Sequence, residues 1–568
     1  MALNPFRRAA ACSIATGDSV GRMNALDALR GVAILAMCLS GVLPRFLPNW
    51  MYHGYYPQYA QDDGGIWQRV GNPWLFTKNI PVYTWVDWVF PAFLFAMGAA
   101  IPLAMSRRLE AGRKRLGLML GVLWRGVILI GFAIYVEQAT PNFIGEKAPA
   151  TADYLWALFG FALLFPLLMR LPRSWPRAAV RMIRGMALIG VLIFLAWVND
   201  QREVEFKWVY PGGKTSYDII ILLLAWCGTI AALLWLLTPG VLWPLMSLGL
   251  VVAFLAHHQA MAVDRRFFGE LFDPLMPYLQ APKQWLDLRD VVGRDASIYN
   301  LAPLYDFTWF KFLWITVPGV LVGDRLVKYL KDKPGTPSRA RLFPASILLL
   351  VSVLLGWIGF AYPRGLWMEL PGDGVLRQAW PIAAAGLIPA LAAGFIARGD
   401  KSAAGRLMTW LSFQGALVCL LGLLVEPWEG GISKGPPATL SYYLYALGQS
   451  MLFLAAWVAA VDVSCWGRTL FGWVVLTGRN PMLAYVAIRS VLAPLVSLPL
   501  LPPDTPADVG EVPEDAPRRS IEQAMLRGPF ESAPDAVPWP GAAWGAVKTL
   551  ALGVFAAVLA KLKLIWKS

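Results

Sequence analysis

The chain has few of the residues from which common catalytic and structural sites are built. Only three histidines and five cysteines occur in 568 residues, and only 15% of the residues are charged. No two cysteines have the CxxC spacing of a zinc site, so we expect neither a bound metal nor a disulfide. No P-loop, dinucleotide-binding fingerprint or nucleophile elbow occurs, so none of these motifs assigns a function.

Apolar residues are what the chain has in excess. They make up 57% of the sequence, against about 45–50% in a soluble domain. Apolar runs long enough to cross a bilayer as a helix recur along the whole chain. The sequence therefore predicts an all-α, polytopic integral membrane helix bundle of about 12–14 transmembrane helices. The predicted segments are 27–45, 82–105, 117–136, 153–170, 184–199, 217–236, 240–257, 308–329, 342–362, 379–397, 404–424, 441–463, 469–498 and 543–563.

The net charge of +14 is explained by topology rather than by a nucleic acid partner. Lysine and arginine gather in short loops between the predicted spans, as the positive-inside rule requires of cytoplasmic loops. Both termini are then expected in the cytoplasm, and the membrane is expected to be a bacterial inner membrane. We divide the chain into a cytoplasmic tail (1–24), a transmembrane domain (25–498), a flexible extracytoplasmic loop rich in proline and acids (499–542) and a final helix with its cytoplasmic end (543–568).

One histidine stands in an unusual setting. His53 lies in the aromatic stretch WMYHGYY at 50–56, which leaves the first span, and Asp87 lies where the second span begins. An imidazole and a carboxylate at adjacent membrane entrances can carry out proton transfer. The competing interpretation is a solvated loop histidine among the aromatic residues of the membrane interface.

Four other polar residues lie in or at apolar spans, where polar groups are costly and are functional candidates by default. Asp27 and Arg30 are three residues apart on one helical face, which also fits a simple intrahelical pair. Arg125 lies deeper and predicts either a ligand contact or a buried ion pair. Asn480 lies in a Gly-Arg-Asn-Pro break, where it can bind a ligand or simply mark a proline kink. These residues alone leave an intramembrane enzyme and a transporter equally open.

Several motifs resemble the heparan-α-glucosaminide N-acetyltransferase family, most closely its bacterial membrane relatives. The similar segments are LDALRGVAI at 26–34, the loop histidine, VDWVFPAFLFAMG at 86–98, Trp124-Arg125, PGVLVGD at 318–324 and GRNPMLAY at 478–485. The resemblance is good over residues 24–136, patchy at the two later motifs and weak elsewhere.

The resemblance implies a transmembrane acyltransferase that moves an acetyl group from cytoplasmic acetyl-CoA to an acceptor at the outer face. It gives His53 the role of general base or acyl carrier, and Asp87 the role of orienting His53 or binding the acceptor. Asn480 would hold the thioester or its oxyanion.

Arg30 and Arg125, with Asp27 beside them, would lie near the CoA phosphates. Asp87 follows His53 by 34 positions, which exceeds the family's spacing, so we expect a cell-envelope glycan or another amino sugar as acceptor. Expected partners are membrane lipid and this glycan, with a homodimer left open. The alternatives are a transporter or flippase for an envelope precursor, and a non-catalytic membrane scaffold.

Overall fold

The computed structural model describes most of the chain apart from its N-terminal tail and several loops. The described residues are 23–44, 47, 51–53, 58–61, 67–70, 83–144, 150–169, 171, 174–200, 206–210, 215–238, 242–260, 273–292, 297–332, 336–361, 383–429, 432–434, 438–464, 469–499, 520, 521, 525 and 539–566; at 58–61, 67–70 and a few other positions only the backbone is described. The predicted tail (1–24) and the predicted loop (499–542) lie almost wholly outside these residues.

The described chain is an all-α, polytopic helix bundle, as the apolar runs predict. Each of the fourteen predicted segments contains a helix. Numbered in chain order, these are α1 (Asn24–Val42), α2 (Trp85–Glu110), α3 (Arg115–Gln138), α4 (Thr151–Leu168), α5 (Arg177–Asp200), α6 (Ile219–Leu237), α7 (Leu242–Ala260), α8 (Leu313–Lys331), α9 (Arg339–Ala361), α10 (Leu387–Arg398), α11 (Ala403–Glu429), α12 (Leu440–Trp457), the pair Gly472–Arg479 and Pro481–Ser497 (together α13), and α14 (Trp539–Lys561).

In the described part of the chain, fewer helices are able to span a membrane than the 12–14 that the sequence predicted. Within the described residues, ten helices are long and apolar enough, or eleven if the bent pair α13 is one span. Helices α7 and α10 contribute shorter apolar segments, Pro244–Gln259 and Ala383–Arg398. Helix α8 carries Asp324, Arg325 and Lys328 in its second half. These three helices account for the difference from the predicted 12–14.

The connections between the helices contain short regular elements. An antiparallel hairpin pairs Gln58–Gln61 with Trp67–Val70 in the segment between α1 and α2, and the sequence analysis did not predict it. Short helices precede α8, among them Met276–Trp285, Arg289–Val292 and Phe307–Phe312. The long first connection thus has some structure of its own.

Helix α2 packs very closely against α8 because both carry glycine at the contact. A side chain at Gly319 would place its Cβ 2.6 Å from the Phe95 carbonyl oxygen, and one at Gly98 would meet the carbonyl oxygen of Thr316. Small residues at a helix contact let two backbones approach each other closely. The Pro-Gly motif at 318–319 is therefore accounted for by helix packing.

The break predicted at residues 478–481 is confirmed. The two halves of α13 meet at 88°, where Pro481 opens the second half and Asn480 has left the helical conformation (φ −134°, ψ 51°). The first half lies against α1, since a Cβ on Gly478 would overlap the carbonyl oxygen of Asp27. The start of α1 therefore packs against α13 next to this break.

Candidate functional site

His53 and Asp87 form a hydrogen-bonded pair at the end of the bundle where α1 finishes and α2 begins. His53 Nδ1 lies 2.8 Å from Asp87 Oδ1. The aspartate side chain is fully buried, whereas 24% of the histidine side chain is exposed. A carboxylate only accepts hydrogen bonds, so Nδ1 carries the proton and the neutral ring keeps its lone pair on Nε2. The structure brings these two predicted residues together.

Asp87 is held in place by the start of its own helix. Thr84 precedes the helix, and its backbone N–H donates to Asp87 Oδ2 at 3.0 Å. The Thr84 hydroxyl donates to the Tyr52 carbonyl at 2.6 Å. A carboxylate in the first turn also faces the positive end of the helix dipole. The capping residues of α2 thus fix both the acid and the chain segment next to His53.

Aromatic and amide side chains of α12 pack beside the start of α2, next to the site. The Tyr442 hydroxyl donates to the Asp87 carbonyl at 3.0 Å. Two helical turns on, Gln449 accepts from the Tyr83 hydroxyl at 2.8 Å and from the Trp357 indole at 3.0 Å. These groups lie in the bundle interior, where each needs a partner because water is excluded. Their hydrogen bonds fix the position of Asp87 and Tyr83 at the start of α2.

Lys434 is the functional candidate that the sequence analysis missed. Its Nζ lies 3.3 Å from His53 Nδ1 and 3.4 Å from Nε2. It belongs to the connection between α11 and α12, 381 residues from His53. A signal existed, because alternation of the predicted spans puts this connection outside, where lysine is less frequent than in cytoplasmic loops.

Burial and charge both act on the protonation of this group. Burial lowers the pKa of His53 below its ordinary 6.5, and the Lys434 ammonium lowers it further, while the hydrogen bond and charge of Asp87 oppose the change. Burial lowers the pKa of Lys434 to about 8, and the Asp87 charge partly offsets this. At neutral pH the imidazole is therefore mainly neutral, which is the form that accepts a proton or an acyl group.

Asp27 and Arg30 lie together near the opposite end of α1. Arg30 Nη1 is 3.7 Å from Asp27 Oδ1, and Arg30 Nη2 donates to the Ala96 carbonyl of α2 at 3.1 Å. Arg479 of α13 approaches Asp27 from the other side, with 3.8 Å between Nε and Oδ2. Asp27 and Arg30 form the intrahelical pair that was the simpler interpretation of their spacing. They do not contact His53.

Asn480 does not converge with His53 and Asp87. Its amide donates to the Leu564 carbonyl at 3.1 Å, and its oxygen accepts from the Trp566 backbone N–H at 3.3 Å. Both partners follow α14, so Asn480 ties the end of the chain to the break in α13. The structure therefore does not bring Asn480 together with His53 and Asp87, and its role in holding the thioester stays a prediction.

Arg125 differs from the buried ion pair that was one of its two predicted environments, and the other, a ligand contact, stays a prediction. Its side chain is exposed on the outside of α3, beside Trp124, which is 65% exposed. Among the described residues it makes neither a hydrogen bond nor an ion pair. The predicted buried pair is therefore wrong. A long arginine side chain on such a surface can extend along the helix toward the membrane interface.

Two further groups pair acidic side chains with basic ones, and in the first of them Arg489 is itself exposed. Arg489 binds Glu137 through two hydrogen bonds of 2.6 and 2.9 Å and lies 3.7 Å from Asp218. His257 Nε2 lies 4.0 Å from Glu429 Oε1, and both Glu429 oxygens accept backbone N–H groups at the start of α12. Within the described residues, no three His, Cys, Asp or Glu side chains form a metal-ion cluster. Both groups fit a structural role.

The comparisons with known proteins cover only the first part of the chain. A family model described as a domain of unknown function, DUF5009, matches residues 22–271, which is somewhat less than half of the 568 residues. The matched region includes His53 and Asp87 but neither Lys434 nor Asn480. No curated protein matches the chain.

Proposed function

We propose that this membrane protein is an acyltransferase that moves an acetyl group from cytoplasmic acetyl-CoA to a carbohydrate acceptor at the outer face. The observation that carries the proposal is the partly exposed His53, oriented by a fully buried carboxylate at a 2.8 Å hydrogen bond. This is the arrangement of an imidazole held in one tautomer by an acid. The similarity to the heparan-α-glucosaminide N-acetyltransferase family supplies the reaction class.

The neutral ring supports both chemical routes open to such an enzyme. In direct transfer, Nε2 takes a proton from the acceptor amine or hydroxyl as it attacks the acetyl carbonyl. In the covalent route, Nε2 attacks the thioester itself and carries the acetyl group to the acceptor. In both routes the ring gains positive charge, which the buried Asp87 carboxylate stabilises.

The polar contacts between α1 and α2 support access of the donor from the cytoplasmic side. Arg30 contacts Ala96 on the same helix that carries Asp87. Nine residues of helix correspond to about 14 Å, which is less than half of the roughly 30 Å hydrocarbon core. The planar guanidinium of arginine suits bidentate binding of phosphate. We assign Arg30 to the CoA side of the path.

Lys434 takes part in this scheme by controlling His53. Its positive charge lowers the pKa of the ring, so the base is ready at neutral pH.

The acceptor we propose is a cell-envelope glycan or amino sugar, in a bacterial inner membrane with both termini inside. The long segment between His53 and Asp87, including the hairpin Gln58–Gln61 with Trp67–Val70, supports an acceptor site of its own shape.

The decisive experiment uses the purified full-length protein in detergent with acetyl-CoA and glucosamine. Release of free CoA is followed with a thiol reagent, with and without acceptor. The proposal predicts acceptor-dependent release that requires His53. If the protein neither binds nor cleaves acetyl-CoA, the acyltransferase proposal fails and the transporter or flippase alternative takes its place.

Replacing Lys434 with glutamine is expected to move the acid limb of the pH–rate profile to higher pH. The neutral ring is the active form, so the rate falls as pH drops through the pKa of His53. That pKa lies below 6.5 in the wild type, partly because of the Lys434 charge, and removing this charge raises it. Lys331→Gln is the matched control, since Lys331 is exposed and paired with Glu110. An unmoved acid limb in Lys434→Gln contradicts the assignment.

Replacing Asp87 with asparagine is expected to act in the opposite direction on the same profile. The carboxylate raises the pKa of His53, so its loss moves the acid limb to lower pH. The rate itself should fall by about 10²–10⁴-fold, since the charged ring loses its counter-charge and its fixed tautomer. Steady-state CoA release from pH 5 to 8 measures both effects. A normal rate in this variant would remove Asp87 from the mechanism.

A further inference from the structure

Lowering the pKa of His53 does not by itself require the position that Lys434 occupies. Its amine lies at nearly equal distances, 3.3 and 3.4 Å, from the two ring nitrogens. The amine is therefore between these atoms rather than in line with one lone pair. Any acyl carbon that His53 acts on from Nε2 is brought within a few ångströms of this primary amine.

The surroundings of Lys434 favour the neutral, nucleophilic amine. Among the described residues Nζ forms no ion pair with a carboxylate, and Asp87, whose charge acts on Lys434, is hydrogen-bonded to Nδ1 of the ring instead. Burial lowers the pKa of this amine to about 8, so a substantial fraction is uncharged in mildly alkaline solution. A desolvated lysine of this kind is a good nucleophile.

We infer that Lys434 is itself an acyl acceptor: in the absence of a competing acceptor, its side-chain amine takes the acyl group and becomes an N6-acyl-lysine. This inference rests on the proposed function, which supplies an acyl-CoA thioester as donor. The amine nitrogen forms a bond to the acyl carbon, and the carbon–sulfur bond of the thioester breaks. The amine proton passes to His53 and then to the CoA thiolate, which leaves as the thiol.

The covalent route leads to the same product. If His53 first carries the acyl group, the bond between Nε2 and the acyl carbon breaks as the amide of Lys434 forms. The ring recovers its lone pair and the amine proton goes to solvent. In either route the product amide has no charge, so it no longer lowers the pKa of His53. Self-acylated protein should therefore show the same shifted acid limb as Lys434→Gln.

The test is peptide mapping by mass spectrometry after incubating the full-length protein in detergent with isotopically labelled acetyl-CoA and no acceptor. Label is expected on Lys434 roughly 10²-fold faster than on other lysines, the acceleration typical of one positioned base. Lys311 is the matched comparison, because it is also partly buried but lies near His257 instead of His53. Labelling of Lys434 should fall by the same factor in His53→Gln. The Lys434→Arg variant should take no label at position 434.

A second measurement needs no variant and guards against a His53→Gln protein that fails to fold. Glucosamine added to the wild type competes for the same acyl group, so it should slow labelling of Lys434 while leaving Lys311 unchanged. Labelling that equals that of Lys311, or that ignores glucosamine, overturns the inference as ordinary chemical acetylation. An unlabelled Lys434 together with acceptor-dependent CoA release overturns the inference and leaves the proposed function standing. If neither label on Lys434 nor CoA release is observed, both the inference and the proposed function fail.

Discussion

His53→Gln is expected to lower acceptor-dependent CoA release by at least about 10²-fold, and by as much as 10⁴-fold if the ring carries the acyl group. Glutamine has similar length and can still donate to Asp87. The carboxylate therefore keeps a donor in place of the one that lies at 2.8 Å in the wild type. It has neither a titratable lone pair nor nucleophilic character. The loss therefore reports chemistry rather than packing, provided that the protein elutes as a single species.

The control for this variant lies in the other buried histidine group. His257 is also near a carboxylate, at 4.0 Å from Glu429, but it plays no part in the proposed reaction. His257→Gln should retain CoA release within a few-fold of the wild type. Equal losses in both variants would point to a general effect on folding. Full activity of His53→Gln would exclude His53 from the mechanism.

Gly478→Ala is expected to prevent stable folding, although it adds only one methyl group. The new Cβ would overlap the Asp27 carbonyl oxygen, which belongs to the backbone of α1. No side chain can rotate away, so α1 and α13 must separate, and the contacts of Asp27, Asn480 and the chain end separate with them. Overpacking commonly costs about 1–3 kcal/mol and sometimes more, and a backbone–backbone clash belongs at the upper end.

Thermal unfolding in detergent and the monodisperse fraction after size exclusion measure this effect. The matched control is Gly121→Ala on α3, where nothing lies within 4 Å of the added Cβ. Alanine is the better helix former by up to about 1 kcal/mol, so the control should keep or slightly raise the wild-type melting temperature. Equal melting temperatures for Gly478→Ala and the wild type would show that the two helices do not pack this closely.

Local features of the sequence predicted the class of fold and the first half of the site. The length of each apolar run reports the thickness of a bilayer, so all fourteen segments could be placed as helices. The edge of the second apolar run placed Asp87 at a membrane entrance, where the structure shows Thr84 and Asp87 capping the helix. His53 was singled out by its rarity and its aromatic neighbours. None of these inferences needs knowledge of distant parts of the chain.

The roles of Asn480, Arg125 and Lys434 could not be obtained in this way. Asn480 is satisfied by residues that follow the last helix, and Arg125 points outward because of how α3 is rotated in the bundle. Lys434 meets His53 across 381 residues of sequence. In each case the deciding contact depends on helix order and rotation, which short-range patterns do not encode.

The sequence by itself therefore determined a helical membrane protein with a histidine and an aspartate at adjacent span ends. Only the tertiary structure decided that these two side chains hydrogen-bond, that Lys434 completes the group and that Asn480 belongs elsewhere. The physical reason is that bilayer length and helix capping act over a few turns of one chain segment. The chemistry of the site depends instead on close contacts between α1, α2 and α12, together with the connection that precedes α12.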